Sequence, residues 1–539
     1  MKKILVSFVL MASFVGFAQQ DAWVYFIDKP DAATYLANPL TMLTQKSLDR
    51  RTAQNIALDV KDVPIFPSYI TQITNATGIT VMAKSKWLNA LHIRGSVTDI
   101  QQLASLTFVN NIQFADKTLN SGALPKNASS QSYQAVNKTL DTQITFAYGN
   151  SSNQISMLGG DLLHQQDFTG TGKTIAVLDA GFPGVNTAVP FQRLFTNNLI
   201  LGGYNYVDQS TNFYTGGSHG TLVLSTMGGY VENSLVGTAP DASYYLFITE
   251  DVASENPVEE SYWVEAAEEA DRLGVDIINT SLGYFGYDNP NYSYSYEDMN
   301  GITAFASRGA DVAFSRGIIC VTSGGNTGST ANAHIAVPAE SLHTLAVGAV
   351  TASGSYASFS SIGPTFDGRV KPEVAAQGVQ AVVSDPTGAI GLANGTSFSG
   401  PITAGMVACL WQALPTKTNA EIIQIIKQSA SIYANPTPQL GYGIPNYNTA
   451  LSTTLGINAV EKGIVMLYPN PANDILNFNI QRFSANAIIE IYSALGQRVL
   501  ETKVASANGS ITVSPLSSGI YFCRITSGTS TSIIKFIKL

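Results

Sequence analysis

The sequence predicts an α/β protein whose largest region is a mainly parallel sheet with helices on both faces. A small α+β domain precedes this region, and an all-β sandwich follows it. In the middle of the chain, short apolar runs of strand length alternate with segments of helical spacing, as in a buried parallel sheet. Near the C-terminus, short alternating strands are separated by turns, as in a sandwich. The 539 residues are also too many for a single core, so several domains are expected.

The composition limits the partners that the protein can have. Its net charge is -9, and no stretch is rich in Lys or Arg, which argues against a nucleic-acid partner. Only 12% of the residues are charged, whereas 45% are apolar. Uncharged polar residues therefore carry much of the surface, and the apolar share is sufficient for substantial cores.

Residues 1–18 have the pattern of a secretory signal peptide. Lys2 and Lys3 precede the apolar run Ile4 to Phe17, and the small residues of Gly16-Phe-Ala offer a cleavage site after Ala18. A membrane anchor needs about 20 apolar residues, and this run is shorter. No later segment is long and apolar enough to span a bilayer, so we expect an exported protein without a permanent transmembrane segment.

Residues 19–122 have the rhythm of a small α+β domain. Predicted strands and helices alternate here, at Trp23 to Ile27, Asp49 to Gln54, Ile79 to Ala83, Trp87 to Ile93, Asp99 to Leu106 and Val109 to Phe114. Residues 123–154 are rich in Ser, Asn, Gln and Thr and lack periodic apolar positions. We interpret them as an exposed linker that contains the maturation site.

Residues 155–455 carry the predicted parallel sheet. Its strands are expected in the runs Lys173 to Leu178, Ser243 to Ile248, Val275 to Asn279, Gly317 to Ser323 and His343 to Ala349, with a helix at Val258 to Leu273. Ligands bind at the carboxyl ends of the strands in such sheets. Functional residues are therefore expected where these runs end.

The segment from Asn394 to Trp411 predicts a helix that is apolar on every side, which belongs in the middle of a large core. We expect Pro401 in its first turn, where a missing N–H costs little. Ser397 then lies at the helix N-terminus. A serine there is either a helix cap or a nucleophile, and a cap is the commoner role.

Three further residues favour the nucleophile, because a serine that cleaves an amide needs a base, an orienting carboxylate and an oxyanion donor. Of five histidines, only His219 lies between glycines in a tight turn, which leaves its ring open to approach. Asp179 ends a buried apolar strand, where a charged carboxylate needs hydrogen-bond partners. Asn326 lies at a glycine-rich strand exit.

In this order, these motifs resemble those of the subtilisin-like serine peptidases, the subtilase (S8) family. The matching motifs are Ile175-Ala-Val-Leu-Asp-Ala-Gly, Ser218-His-Gly-Thr-Leu-Val, Ser323-Gly-Gly-Asn and Asn394-Gly-Thr-Ser-Phe-Ser-Gly-Pro. Further matches are Gly237-Thr-Ala-Pro, Asn279-Thr-Ser-Leu-Gly, Lys371-Pro-Glu-Val and Gly441-Tyr-Gly. The order Asp, His, Ser distinguishes the chain from chymotrypsin-like enzymes and α/β-hydrolases.

The resemblance implies a role for each residue of the site. Asp179 would orient His219, His219 would be the general base and Ser397 the nucleophile, with Asn326 and the Ser397 N–H as the oxyanion hole. The implied substrate-binding residues are Ser281, Leu282, Gly283, Ser323, Gly324 and Gly325. The chain departs from the family at Ala180, where a small hydroxyl residue is usual, and at Phe398 after the nucleophile.

The flanking domains also resemble known modules. The first domain is similar to a subtilase propeptide, which implies an inhibitor and folding aid that the enzyme removes itself. After a linker at 456–465, residues 466–539 resemble a type A sorting domain of the type IX secretion system through Tyr468-Pro-Asn-Pro, Leu495-Gly-Gln and Gly519-Ile-Tyr. This implies a Gram-negative bacterium, passage through the periplasm, the type IX machinery as a partner, and a location at the cell surface or outside the cell.

Other functions remain open at this stage. A catalytically inactive surface adhesin or an esterase could use the same scaffold. No cofactor is expected, and no Asp/Asn cluster has the spacing that would indicate a structural calcium ion. The aromatic loop Tyr284 to Tyr296 either borders the cleft or decorates the surface. The cysteines Cys320, Cys409 and Cys523 are expected to be buried thiols, although Cys320 and Cys409 could pair.

Overall fold

The computed structural model describes residues 19–120, 146–455, 465–480, 483, 486–493, 496–527 and 530–539. The predicted signal peptide and most of the predicted linkers lie outside these residues. The described residues form two compact units that divide between Leu451 and Ser452. The predicted fold class is confirmed: the first unit contains a small α+β domain and a large parallel sheet with helices, and the second contains antiparallel strands.

The first domain is an antiparallel sheet with helices between its strands. Its elements are β1 (Gln20–Phe26), α1 (Ala32–Ala37), α2 (Gln45–Ala53), α3 (Pro67–Thr74), β2 (Thr80–Ser85), β3 (Ala90–Gly95), α4 (Val97–Gln102) and β4 (Val109–Phe114). The sheet order is β2-β3-β1-β4. Trp87, predicted as the start of a strand, lies instead in the turn between β2 and β3.

Alternate residues of β1 face two different cores, because successive side chains of a strand point to opposite faces. Ala22, Val24 and Phe26 are buried within the first domain. Trp23, on the other face, is buried against the large domain and stacks on Phe305 with ring centroids 5.2 Å apart. The first domain is therefore bound to its neighbour through the outer face of its own sheet.

The large domain is built on a seven-stranded parallel sheet. The order of strands is β13-β12-β11-β10-β5-β9-β6. Its elements, with a few short hairpins, are α5 (Ser152–Ser156), α6 (Gly160–His164), β5 (Thr174–Asp179), α7 (Gln192–Thr196), β6 (Ile200–Asn205), α8 (His219–Gly228), β7 (Tyr230–Val231), β8 (Leu235–Val236), β9 (Ser243–Ile248), α9 (Val258–Leu273), β10 (Ile277–Thr280), α10 (Phe305–Ser315), β11 (Ile319–Ser323), β12 (Leu345–Val350), β13 (Val374–Gln377), β14 (Ala381–Ser384), β15 (Ile390–Ala393), α11 (Thr396–Ala413), α12 (Asn419–Gln428) and α13 (Tyr447–Thr454).

Helix α11 is the predicted core helix, and every residue from Thr396 to Trp411 is buried. It packs across β10, β11 and β12, which explains why it has no polar face. The expected position of Pro401 was wrong, since Pro401 lies in the second turn of the helix rather than the first. An apolar pattern that continues around the whole helix does not mark the residue at which the helix begins.

The described end of the predicted linker packs against the large domain. Ser151 is fully buried, donates a hydrogen bond to Val236 O (3.1 Å) and accepts one from Val236 N (2.9 Å). Gln154 accepts a hydrogen bond from Val382 N at 2.8 Å. The proposed boundaries of the domains and linkers remain predictions.

The second unit consists of two antiparallel sheets, with the orders β16-β17-β20 and β19-β18-β21-β22. The strands are β16 (Val465–Tyr468), β17 (Ile475–Ile480), β18 (Ala487–Ser493), β19 (Arg498–Val504), β20 (Asn508–Thr512), β21 (Gly519–Ser527) and β22 (Ser530–Lys538). Inward-facing residues of both sheets, such as Phe478 and Ile489, share one core.

Two further features of the described residues are the state of the cysteines and the length of the apolar helices. Cys320, Cys409 and Cys523 are all buried and free, so the considered Cys320–Cys409 disulfide is not formed. Within the described ranges, we find no helix with the length and apolar character that crossing a membrane requires.

Candidate active site

The order of strands brings three of the predicted segments together. Strand β10 lies between β5 and β11, and Thr280 pairs with Leu178 on one side and Thr322 on the other. Because the strands are parallel, their carboxyl ends meet at one edge of the sheet. Asp179, Ser281 and Ser323 therefore emerge side by side, where ligands bind in sheets of this kind.

Asp179 and His219 form a hydrogen-bonded pair at this edge. Asp179 is fully buried at the end of β5, and His219 is the first residue of α8. Asp179 Oδ1 lies 2.7 Å from His219 Nδ1 and also accepts a hydrogen bond from Ala180 N at 2.8 Å. The carboxylate thus fixes the ring so that its Nε2 faces away from Asp179.

The surroundings of His219 favour its protonated form. The negative charge of Asp179 raises the pKa of His219 above its ordinary value, and this attraction outweighs the opposing effect of burial. The His219 side chain keeps 34% of its surface exposed, so a ligand can reach it. A smaller contribution to the raised pKa comes from Glu250.

Glu250 is a carboxyl group near the site that the sequence analysis missed. It comes two residues after β9, the strand next to β5, and Ile248 at the end of β9 pairs with Asp179, so both carboxyl groups lie at the same edge of the sheet. Glu250 Oε1 accepts hydrogen bonds from Thr249 Oγ1 (2.8 Å) and Tyr284 OH (2.7 Å). Burial raises the pKa of Glu250 to about 7. The short distance in sequence from a strand end was the available signal.

Ser397 lies near the start of α11, and its hydroxyl does not cap the helix. Ser397 Oγ donates a hydrogen bond to Ser281 O at 3.2 Å, and the residue that precedes the helix is Gly395. Phe398, the next residue, places its ring 6.1 Å from the His219 ring. Of the two roles considered for Ser397, the structural role of a cap is therefore wrong.

Asn326 is held by the loop that leads into α11. Its Oδ1 accepts hydrogen bonds from Thr396 N at 2.9 Å and Thr396 Oγ1 at 3.1 Å. This orients the amide so that Nδ2 remains free to donate elsewhere. Thr396 Oγ1 in turn accepts a hydrogen bond from Gly325 N at 3.1 Å, which ties the two loops together.

Gly395 leaves open a space that Asn326 and Ser397 share. A Cβ atom built on Gly395 would lie 3.6 Å from Asn326 Nδ2, 3.6 Å from Ser397 N and 3.7 Å from Ser397 Oγ. Gly395 has a φ of 148° and a ψ of 154°, a conformation that is essentially confined to glycine. Two hydrogen-bond donors and one hydroxyl thus surround a volume that no side chain fills.

The predicted substrate-binding residues are placed in two segments, and they differ in accessibility. Leu282 is partly exposed and Gly283 exposed, so both can be reached from solvent. Ser281, Ser323 and Gly324 are buried, and the Ser323 hydroxyl donates to Thr396 O at 2.7 Å. Gly325, beside Asn326, is partly exposed.

Ala336 lies between these two segments. Its Cβ would be 3.2 Å from a Cβ on Gly283 and 3.9 Å from one on Gly325. The next residue, Val337, exchanges two backbone hydrogen bonds with Tyr284, at 2.9 and 3.2 Å. No sequence pattern marks Ala336, because it lies in an irregular loop ten residues after Asn326.

The aromatic loop that follows Gly283 contacts the first domain. Tyr292 OH donates to Gln20 Oε1 at 3.0 Å, and Asn291 Nδ2 donates to Asp116 Oδ2 at 3.0 Å. Lys117 binds Asp298 at 2.7 Å and lies over the Tyr294 ring. The loop is therefore not simply exposed on the surface, because it binds both the start and the end of the described first domain.

The described part of the chain contains no group of three or more His, Cys, Asp or Glu residues placed to hold a metal ion. The expectation that no cofactor is needed is not tested by this observation, and it remains a prediction.

Comparison with known proteins assigns a family to each part of the chain. Residues 170–449, half of the chain, match the profile of the subtilase family. Residues 21–134 match the peptidase S8 propeptide domain of Bacteroidota, and residues 466–539 match a secretion system C-terminal sorting domain. The sorting domain directs the protein through type IX secretion to the outer-membrane surface or the medium.

Similar proteins include several bacterial subtilisins. The chain is 33% identical to subtilisin NAT of Bacillus subtilis subsp. natto over 300 residues, which are 55% of this chain and 70% of that protein. It is 32% identical to a subtilisin of Bacillus pumilus over 55% of this chain and 97% of that protein. M-protease of Shouchella clausii is 29% identical over 55% of this chain and 68% of that protein. The chain belongs to the subtilase family, a family of serine-type peptidases.

Proposed function

We propose that this protein is a secreted serine endopeptidase in which Asp179, His219 and Ser397 form the catalytic triad. The observation that carries the proposal is the 2.7 Å contact between buried Asp179 and half-exposed His219, beside the start of α11. The space between Asn326 Nδ2 and the Ser397 N–H supports it further, because it offers two donors to one oxygen atom.

In the proposed reaction, His219 takes the proton of Ser397 through the ring nitrogen that Asp179 does not bind. The Ser397 hydroxyl must first turn away from Ser281 O, to which it donates in this structure. The serine oxygen then attacks the substrate carbonyl, and the negative oxygen that develops is stabilised by Asn326 Nδ2 and the Ser397 N–H. His219 returns its proton to the departing amine, which leaves an acyl-enzyme for water to hydrolyse.

The accessible backbone of Leu282 and Gly283 supports a peptide as the substrate. They are the second and third residues after strand β10, so an extended chain laid beside them would continue the sheet. An esterase would gain little from such an extended edge.

The first domain is proposed to act on the peptidase itself, and the sorting domain to act in export. We expect the first domain to inhibit the peptidase as its propeptide, and the type IX machinery to be the partner of the sorting domain. Self-cleavage in residues 123–154 would then release the mature enzyme, while a different protease removes the sorting domain.

Peptide hydrolysis by the Ser397→Ala variant tests the proposal. Turnover of a protein substrate should fall by roughly a million-fold, the loss known for the corresponding serine of a subtilisin. Ser399→Ala is the matched control, because Ser399 is a buried hydroxyl in the same helix that donates to Thr396 O at 3.1 Å. Near-normal turnover by Ser397→Ala would reject the nucleophile. Turnover of short esters but not of peptides by the wild-type protein would favour the esterase.

A further inference from the structure

Part of the first domain contacts the large domain far from the candidate active site. This part, the docking segment (residues 44–62), contains α2 and a 3₁₀ turn at Val60–Asp62, and it lies outside the four-stranded sheet. Its partners are the last residues of α9 and α10 and the residues just before β10 and β11. These partners lie at the amino edge of the parallel sheet, whereas Asp179, Ser281 and Ser323 lie at its carboxyl edge.

The docking segment binds backbone groups that the ends of helices leave without intrahelical partners. Thr44 donates to Arg272 O through both its N–H (3.0 Å) and its hydroxyl (2.8 Å). Arg50 donates to Val275 O, and its Nε donates to Arg316 O at 3.2 Å. All of these donors bind backbone carbonyl oxygens, so the contact depends on the course of the backbone at this edge of the large domain.

Gln54 makes a two-way contact at the same edge. Its Nε2 donates to Gly317 O at 2.9 Å, and its Oε1 accepts from Asn419 N at 2.9 Å. Asn419 is the first residue of α12, so the docking segment reaches one more helix of the large domain. Gln54 carries no charge, and its contacts can therefore be removed without leaving a buried ion.

Charged side chains meet across the same contact in reciprocal pairs. Arg51 NH2 of the docking segment binds Asp271 Oδ2 of α9 at 2.7 Å, and Arg50 also binds Asp271. In the opposite sense, Asp59 of the docking segment binds Arg316 of the large domain at 2.8 Å. Each domain thus contributes both signs of charge, and each charge has a partner on the other side.

The central charges of this network are almost fully buried. Arg51 is 2% exposed, and Asp62 and Asp271 are not exposed at all. Arg51 bridges the two carboxylates, with Asp62 at 2.8 Å. Buried charges of this kind are costly when a partner is removed, and their arrangement selects the correct partner more than it adds affinity.

We infer that the docking segment is a second binding site of the propeptide, which holds it on the amino edge of the parallel sheet after the connecting chain has been cut. The partner that this surface fits is the large domain of the same protein, with Asp271 and Arg316 as the charges that recognise it. None of the contacts involves Asp179, His219, Asn326 or Ser397. The inference rests on the propeptide assignment in the proposed function, but not on the catalytic roles.

The test measures how fast a cut propeptide leaves the enzyme. The full chain carries Ser397→Ala, so that no self-cleavage occurs, and a recognition sequence for a site-specific protease is inserted at residue 130. After cutting, dissociation of the N-terminal fragment is followed by size-exclusion chromatography and native mass spectrometry. Every chain carries the same Ser397→Ala change, and the rate at which the cut fragment dissociates does not depend on which residue is the nucleophile.

Three variants separate the docking segment from the rest of the contact. Arg51→Met should speed dissociation by about 100-fold, since it leaves Asp271 buried with fewer partners. Gln54→Ala should speed it by about 10-fold through the loss of two hydrogen bonds, and it answers the question if Arg51→Met fails to fold. Lys84→Met is the control, because the pair of Lys84 with Glu265 spans 3.8 Å and the lysine side chain is 62% exposed.

The Lys84→Met rate should stay within about threefold of the unaltered rate, as expected for an exposed ion pair at the rim. The inference is overturned if the unaltered fragment leaves as soon as the chain is cut. It is also overturned if Arg51→Met and Gln54→Ala dissociate no faster than Lys84→Met.

Discussion

Asn326 is expected to act on catalysis and on stability through different atoms of one amide. Its Nδ2 faces the space beside Ser397 N, while its Oδ1 accepts two hydrogen bonds from Thr396. Asn326→Ala removes both functions. Asn326→Asp keeps the acceptor for Thr396 but removes the donor and adds a negative charge where the oxyanion would form.

The expected magnitudes follow from these contacts. Loss of the corresponding donor in a subtilisin lowers kcat by about 100- to 1,000-fold, equivalent to about 2.7–4 kcal/mol, and that known range sets the expectation here. Two lost hydrogen bonds should lower the free energy of unfolding by about 1–2 kcal/mol, the lower part of the usual range, because Asn326 is exposed and water can replace them. The Asp variant should lose at least as much kcat as the Ala variant while keeping more of its stability.

Thr396→Val is the matched control. It removes the hydroxyl that binds Asn326 Oδ1 and Gly325 N, but it leaves the Asn326 donor in place. Its kcat should therefore fall by no more than about tenfold. Steady-state hydrolysis of a peptide substrate gives kcat and KM, and thermal unfolding in a Ser397→Ala background gives stability without autolysis.

If Asn326→Asp kept kcat within tenfold of the wild type, Asn326 would not be an oxyanion donor. A change confined to KM in the Ala variant would exclude that role equally, because an oxyanion donor acts in the transition state.

Three further predictions concern the pH profile and processing. Asp179 raises the pKa of His219, and only the neutral ring can accept a proton, so kcat/KM should fall with decreasing pH at a midpoint above 6.5. A profile of kcat/KM that stays flat down to about pH 4 would show that His219 is not the base. Asp179 Oδ2 is buried without a hydrogen-bond partner among the described residues. Ala180→Thr should supply a donor to it, weaken the attraction between the carboxylate and the protonated His219 ring, and so lower the midpoint of the pH profile. Ala180→Val has the same shape but no donor, and its midpoint should stay where it is in the wild type. In a host with type IX secretion, Ser397→Ala should retain the first domain and still lose the sorting domain, as intact mass will show; normal trimming at the N-terminus would mean that another protease matures the chain.

The elements that could be predicted are those whose apolar pattern lies within a single segment of the sequence. Strand β9 and helix α9 begin and end where their apolar patterns predicted, because each pattern is continuous and bounded by turns. The start of α11 was harder to place, since a helix buried on all sides has no change of pattern at its first turn. Strand ends at Asp179 and Ser323 located the site because parallel strands end at a common edge.

The contacts that could not be predicted join segments that are distant in the sequence. Arg50 and Arg51 were recognised only as part of a helical stretch, because their partner Asp271 follows more than 200 residues later. Glu250 and Ala336 belong to loops whose path is set by the strands that they join, and no periodic pattern marks them. Distance in sequence hides the partner of Arg50 and Arg51, whereas Glu250 is marked only by its place two residues after β9.

Covalent labelling with a fluorophosphonate shows whether Ser397 is an activated nucleophile, because such reagents phosphonylate a serine that a neighbouring base has activated. The mature protein is reacted, digested and analysed by mass spectrometry, with Ser397→Ala and Ser399→Ala as parallel samples. A catalytic Ser397 should carry one adduct per molecule, peptide hydrolysis should be lost in step with labelling, and Ser399→Ala should be labelled fully. An unlabelled but folded wild-type protein, or an adduct that persists in Ser397→Ala, would show that Ser397 is not the nucleophile.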